Sequence, residues 1–76
     1  MDNNFIGIFP ERVFQDITEI WISKKDIVSF QFIESLEEES ISGDIIYFRF
    51  CFTITMITGH VYIDHWTNHD LRKVLQ

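Results

Sequence analysis

The stretch from Asp44 to Trp66 constrains the fold most, because it contains the longest alternation of side-chain character in the chain. Even-numbered positions from Phe48 to Met56 are apolar, whereas odd-numbered positions from Tyr47 to Ile57 are mixed. A period of two with aromatic and β-branched residues is typical of a strand with one dry face. Gly59 interrupts the run, and alternation then resumes up to Trp66. The stretch predicts a long β-hairpin.

The length of the hairpin loop decides which side chains share a face. A two-residue loop, either Thr58-Gly59 or Gly59-His60, places even residues of the first strand opposite odd residues of the second. Val61 and Ile63 then join the apolar face. A three-residue loop shifts the register by one and mixes the two faces. We therefore predict the two-residue loop.

Length and composition predict one soluble, cytoplasmic domain over residues 1–76, with residues 1–4 frayed. A chain of 76 residues is near the lower size at which one core can hold a fold. Twelve acidic and six basic residues give a net charge of −6, which disfavours nucleic acid and anionic membranes and favours a basic protein partner. The alternative is that the charge serves solubility alone. One cysteine, no signal-peptide pattern and no apolar run of about 20 residues fit a cytoplasmic protein.

The segments before the hairpin predict short elements. Phe5–Phe9 is an apolar run ended by Pro10, and it is either an edge strand or an anchoring arm. Between Pro10 and Ile22 the pattern fits one amphipathic helix, or a short helix over about 10–16 that hands over to a strand near Ile17. The β-branched residues in this segment favour the second interpretation.

A polar turn at Ser23–Asp26 is followed by alternation from Val28 to Ile33, which predicts another strand. We then predict an acidic loop over residues 35–43. The acidic residues in and beside it are Glu34, Glu37, Glu38, Glu39 and Asp44. Carboxylates concentrated at one end of a sheet attract a basic surface, so we expect them to bind a protein partner. The alternative is a mobile turn that only prevents edge-to-edge aggregation.

The last residues predict a short helix. Thr67 or Asn68 is a suitable N-cap, Asp70 complements the helix dipole, and Leu71 begins an apolar stripe. The predicted fold is α+β: a small, mainly antiparallel sheet of about four strands around the central long hairpin. A short N-terminal helix accompanies it, and the C-terminal helix covers the Phe-rich face.

The odd face of the hairpin mixes aromatic, basic and hydroxyl side chains. Its residues are Tyr47, Arg49, Cys51, Thr53, Thr55, Ile57, His60, Tyr62, Asp64 and Trp66. Tyr, Trp and Arg are the residue types that anchor protein interfaces, so Tyr47, Arg49, Tyr62 and Trp66 are predicted to bind a partner or a second copy in a homodimer. The alternative is that the N-terminal helix covers this face.

No combination of side chains predicts catalysis or metal binding. Cys51, His60 and Asp64 have the types of a nucleophile, a base and an orienting acid, but Cys51 is about 20 Å along the strand from the position opposite His60. His65 and His69 straddle the junction between strand and helix, whereas His60 and Asp64 point to the face opposite His65. We therefore expect no catalytic residue, no cofactor and no metal.

The chain is expected to be a non-enzymatic protein-binding module. In its size, its acidic charge and its lack of a catalytic motif it resembles small inhibitors encoded by phages and mobile elements, including anti-CRISPR proteins, and toxin-neutralising immunity proteins. The resemblance involves no particular residue. It implies an acidic and aromatic surface that blocks a bacterial nucleic-acid-binding or defence complex. The alternatives are a self-associating regulatory or structural domain and, third, an enzyme.

Overall fold

The computed structural model describes residues 4–12, 16–39 and 45–75, with the backbone alone at 38–39 and 45–47. In this part of the chain, five strands form two antiparallel sheets and one short α-helix follows them. The elements are β1 (Phe5–Ile8), β2 (Ile20–Ser23), β3 (Ile27–Glu39), β4 (Ile45–Met56), β5 (Val61–Thr67) and α1 (Leu71–Val74). The mainly antiparallel architecture is confirmed, although five strands replace the predicted four or so.

The predicted long strand is β4, and it lies between β3 and β5 in the larger sheet. Phe30 of β3 is opposite Ile54, and Phe32 is opposite Phe52. The rings of Phe30 and Phe32 meet the Phe52 ring edge-on, with centroids 5.5 and 5.6 Å apart. Edge-on aromatic contacts of this kind add to the stabilisation that burial alone provides.

The core lies between the smaller sheet and the even face of β4. β1 and β2 form the smaller sheet, in which Ile6 is opposite Ile22. The buried cluster consists of Ile6, Ile8, Ile22, Phe52, Ile54, Met56 and Leu71. One bridge joins the two sheets, because Phe9 pairs with Trp66 of β5 through backbone hydrogen bonds of 2.8 and 2.7 Å.

The two-residue loop is wrong, since the β4–β5 turn has three residues, 57–59. Thr55 is opposite Val61, and the N–H of Met56 donates to the carbonyl oxygen of His60 at 2.9 Å. Gly59 has a φ of 91°, and its N–H donates to the carbonyl oxygen of Met56. A glycine with positive φ at the last loop position is typical of three-residue hairpin loops.

A bulge in β5 changes the register again. Asp64 has a φ of 53°, and its N–H donates to the Thr53 hydroxyl at 3.3 Å. Before the bulge Ile54 is opposite Tyr62, and beyond it Phe52 is opposite His65. The placement of Val61 and Ile63 on the dry face is therefore wrong: both are exposed, Ile63 to 66%, whereas the neighbouring tyrosine packs against the core.

The segment before β2 also differs from the prediction. A helix is wrong at residues 10–12, which form a bend, and 13–15 lie outside the described residues. A 3₁₀ turn at Asp16–Thr18 leads into β2 at Ile20, so the strand before Ser23 is confirmed. Another 3₁₀ turn, Lys24–Asp26, connects β2 to β3 where a polar turn was predicted.

The acidic segment begins as a strand rather than a loop. Residues 35–39 are the last part of β3, and they pair with β4 between Ser35↔Phe50 and Glu39↔Ile45. Residues 40–44 of the predicted loop lie outside the described residues. Pairing with an aromatic strand holds these polar residues in the sheet, although their composition alone indicates a loop.

The C-terminal helix α1 begins after Asp70, whose carboxylate accepts a hydrogen bond from the N–H of Arg72. Asp70 is therefore the N-cap, and the prediction of Thr67 or Asn68 is wrong, since Thr67 ends β5. Leu71 is fully buried in the core, which confirms that the helix packs on the Phe-rich face. No helix in the described ranges is long and apolar enough to cross a membrane.

Candidate protein-binding surface

The middle of the odd face of the central hairpin is covered by other parts of the same chain. Cys51 is opposite Trp66, and these residues are only 2% and 8% exposed. The backbone of Phe9 pairs with the other edge of Trp66. Trp66 was predicted to anchor a partner or a homodimer on an exposed face. That prediction is wrong in its premise, because Trp66 is already buried by its own chain.

Arg49 and Tyr62 also have partners inside the chain. Arg49 is half-buried, and its Nη1 donates to the carbonyl oxygen of Arg12 at 2.7 Å, which holds the segment after β1 beside β4. The three-residue loop places Tyr62 level with Ile54, on the core side rather than on the odd face. The Tyr62 ring lies edge-on to the His60 and His65 rings, at 4.4 and 5.2 Å. Tyr62 and Trp66 are thus on different faces of the sheet, and the side chain of Tyr47 lies outside the described part of the chain.

Two of the predicted acidic residues, Glu34 and Glu37, have described side chains, and both are exposed on β3. Glu34 is opposite Cys51, where β4 also pairs with β5, and Glu37 is opposite Phe48, nearer the end of the hairpin. Because residues 34 and 37 are three apart in a regular stretch, their side chains point to different faces of the sheet. The backbone of Glu38 pairs with Tyr47 and that of Glu39 with Ile45, while Asp44 lies outside the described residues. Exposed carboxylates therefore lie on both faces of β3.

An exposed aromatic ring lies beside Glu37. The rings of Phe48 and Phe50 are stacked, with centroids 6.3 Å apart and planes 19° apart. Phe50 is half-buried and packs against the core, as the alternation predicts, whereas Phe48 is 41% exposed although the same pattern places it on the dry face. Glu37 is directly opposite Phe48 in the strand pairing. We refer to Glu37, Phe48 and Phe50 as the acid–aromatic strip.

The acid–aromatic strip lies beyond the end of β5, because β4 is longer than β5. β4 has 12 residues and β5 has seven, and their pairing stops at Phe50↔Thr67. Within the described residues, positions 45–49 of β4 therefore pair with β3 alone. The signal was present in the sequence as a difference in the lengths of the two alternating runs. Parity alone does not reveal it, since parity assigns Phe48 and Phe52 to the same face.

The environment of Cys51 disfavours nucleophilic chemistry at this residue. Burial raises the pKa of its thiol to about 11, and the carboxylates of Asp64 and Glu34 contribute to the same shift. A thiolate is the reactive form of cysteine, and it is scarce near neutral pH when the pKa is this high. Nowhere in the described ranges do three or more His, Cys, Asp or Glu side chains gather closely enough to hold a metal ion.

Comparison of the chain with protein-family models, with curated proteins and with solved structures gives no match.

Proposed function

We propose that this chain is a non-enzymatic protein-binding module that holds a basic partner through the acid–aromatic strip. The observation that carries the proposal is Phe48, which is 41% exposed and stacks on the half-buried Phe50, with Glu37 directly across the strand pairing. An exposed aromatic ring beside a carboxylate suits an interface, because aromatic residues are enriched where proteins bind one another.

Aromatic rings beside a carboxylate are suited to arginine and lysine side chains. A cation over a ring contributes about 0.5–1 kcal/mol at an exposed site and about 2 kcal/mol when the contact is desolvated. The chain makes such a contact internally, where the Arg72 guanidinium lies 3.8 Å from the centre of the Phe32 ring. In the acid–aromatic strip, Glu37 would add a charge-assisted hydrogen bond to the same cation.

The charge of the chain supports a partner that otherwise binds nucleic acid. The net charge is −6, and Glu34 and Glu37 are exposed on different faces of β3. Carboxylates on both faces of a hairpin would take the place of phosphates in a basic channel. We propose that the chain inhibits a bacterial nucleic-acid-binding or defence complex, in a way similar to anti-CRISPR proteins.

Affinity capture from a lysate of the native host tests the proposal. We expect wild-type protein to capture a basic partner that Phe48→Ala and Glu37→Gln lose, and that Ile63→Ala retains. Ile63 is an apolar residue on β5 that is more exposed than Phe48, at 66% against 41%, so it is the matched control. Capture should weaken as salt rises, because exposed charge pairs are screened over about 10 Å at 0.1 M.

A displacement experiment tests whether the partner binds this chain through a surface that also binds nucleic acid. Single-stranded or double-stranded nucleic acid added to the captured complex should release the partner if both compete for one basic channel. Identical partner lists for wild type, Phe48→Ala and Glu37→Gln, with folding preserved by circular dichroism, would overturn the proposal.

A further inference from the structure

β3 has an open edge along its whole length in the described part of the chain. The larger sheet has the order β3–β4–β5, so β4 lies on one side of β3 and no described strand lies on the other. We propose that this edge pairs with the β3 edge of a second copy, antiparallel and about a two-fold axis, to form one six-stranded sheet. An edge of unpaired N–H and C=O groups is a template for strand addition, and two-fold dimers use the same surface twice.

The charges along β3 select the antiparallel orientation. Lys24 and Lys25 lie in the 3₁₀ turn before the strand, with Asp26 between them and Ile27, and Glu37 to Glu39 form the other end of the strand. Antiparallel pairing brings the acidic end of each copy to the lysine end of the other, whereas parallel pairing sets like charges together. Opposite charges across a strand pair stabilise the pairing, and like charges oppose it.

A pairing centred near the middle of β3 brings the lysines of each copy toward the acidic end of the other, because Lys25 and Glu39 are equally far from Phe32 in the sequence. Val28 is 64% exposed in the single chain and is available for contact with the second copy. Any burial of Val28 in the dimer would occur twice because of the symmetry.

A shallow cavity beside the first part of β3 provides a place for the second copy. Its volume is about 400 Å³, and its lining is Lys24, Ile27, Val28, Ser29, Phe30 and Leu75. Four of the six lining residues are apolar, and Lys24 contributes one cation. Antiparallel pairing brings the Glu37–Glu39 end of the second copy toward this cavity, so that carboxylates approach Lys24.

The bulges of β3 limit this pairing to two regular stretches. The register to β4 shifts at Val28 and at Ile33, while Ser29–Phe32 and Glu34–Glu38 are regular. This dimer surface differs from Trp66 and Tyr62, which are buried or half-buried within the chain.

A charge-swap experiment tests the inference by light scattering and sedimentation equilibrium. We expect wild type to dimerise, and the variant Lys24→Glu/Lys25→Glu to dimerise at least about tenfold more weakly, because like charges then face each other across the strands. The variant Glu37→Lys/Glu38→Lys/Glu39→Lys should behave in the same way. A 1:1 mixture of the two variants should restore a dimer. Lys73→Glu, which changes an exposed lysine on α1, is the matched control and should leave the dimer intact.

Wild-type protein that stays monomeric at millimolar concentration would overturn the inference, and so would a mixture of folded variants that does not associate. The lysine variant leaves the acid–aromatic strip unchanged, so loss of the dimer and loss of partner capture are separate outcomes. Slower amide hydrogen exchange along β3 in the dimer than in the lysine variant would confirm that the edge itself is paired.

Discussion

The Cys51 thiol is held in its protonated form by its surroundings. Burial opposite Trp66 raises its pKa from the ordinary 9.0 to about 11, with Asp64 and Glu34 as further causes. The unfolded chain therefore loses this proton at a lower pH than the folded chain does. Linkage then requires the stability contributed by Cys51 to be complete below pH 9 and to be lost as the pH rises through about 11.

We expect the free energy of unfolding of wild type to fall more steeply between pH 9 and 11 than that of Cys51→Ala, in which no thiol titrates. Urea unfolding at a series of pH values measures the two slopes, and lysines and tyrosines titrate equally in both proteins. Alkylation of Cys51 in the folded protein should be slow at neutral pH and rapid in urea. Equal slopes together with rapid alkylation of the native protein would contradict the shift.

At the scale of elements, the β4–β5 hairpin depends on two residues with positive φ. Gly59 ends the three-residue loop with a φ of 91°, and Asp64 forms the bulge with a φ of 53°. The loop moves the register by one residue, and the bulge moves it again, so that Phe52 is opposite His65. The loop and the bulge together place the half-buried Tyr62 and the buried Trp66 on opposite faces of β5.

Gly59→Ala should destabilise the protein by about 1–2 kcal/mol, because a Cβ is unfavourable in left-handed backbone. Nothing lies within 4 Å of the position where that Cβ would be, so a loss of stability would be conformational and not steric. Ile57→Ala, at an exposed position of the same loop, should change stability by less than about 0.5 kcal/mol. Urea unfolding followed by circular dichroism compares them, and equal stability of Gly59→Ala and wild type would show that the loop is not held in this conformation.

Alternation of side chains was sufficient to predict β4, because its even residues from Phe52 to Met56 enter one core. It was not sufficient for β5, because the three-residue loop shifts the register before Val61 and the bulge at Asp64 shifts it again. Glu37 is predicted in a loop because acidic composition is typical of loops, whereas its pairing with Phe48 depends on a residue eleven positions away. The burial of Trp66 depends on Phe9, which is remote in sequence, so the exposed surface could not be predicted from the hairpin alone.

On the scale of the whole molecule, the two sheets are unequal. The smaller sheet has two four-residue strands, and one bridge at Phe9 and Trp66 joins it to the larger sheet through the backbone. Two-stranded hairpins are marginal by themselves in water. The smaller sheet therefore depends on Ile6, Ile8 and Ile22 remaining packed against β4.

We expect amide protons of β2 to exchange through local openings of lower free energy than those of Phe52 and Ile54, which lie in the central strand. Native-state hydrogen exchange at increasing denaturant measures both sets. Weakening the contact with Arg49→Ala, which removes the hydrogen bond to Arg12, should lower the protection of β1 and β2 more than that of β4. Equal protection throughout would show that the two sheets open as one unit.

The pairing of Phe9 with Trp66 also sets an order of events for a chain that is still being synthesised. Trp66 follows Ser23, the end of β2, by about 40 residues, which is roughly 2–8 s at about 5–20 residues per second. During that interval Ile6, Ile8 and Ile22 have no core to enter, because Phe52 and Ile54 are also made later. The sheet of β1 and β2 is thus synthesised before the strands that hold it in place. Its apolar face is open to chaperones until β5 emerges.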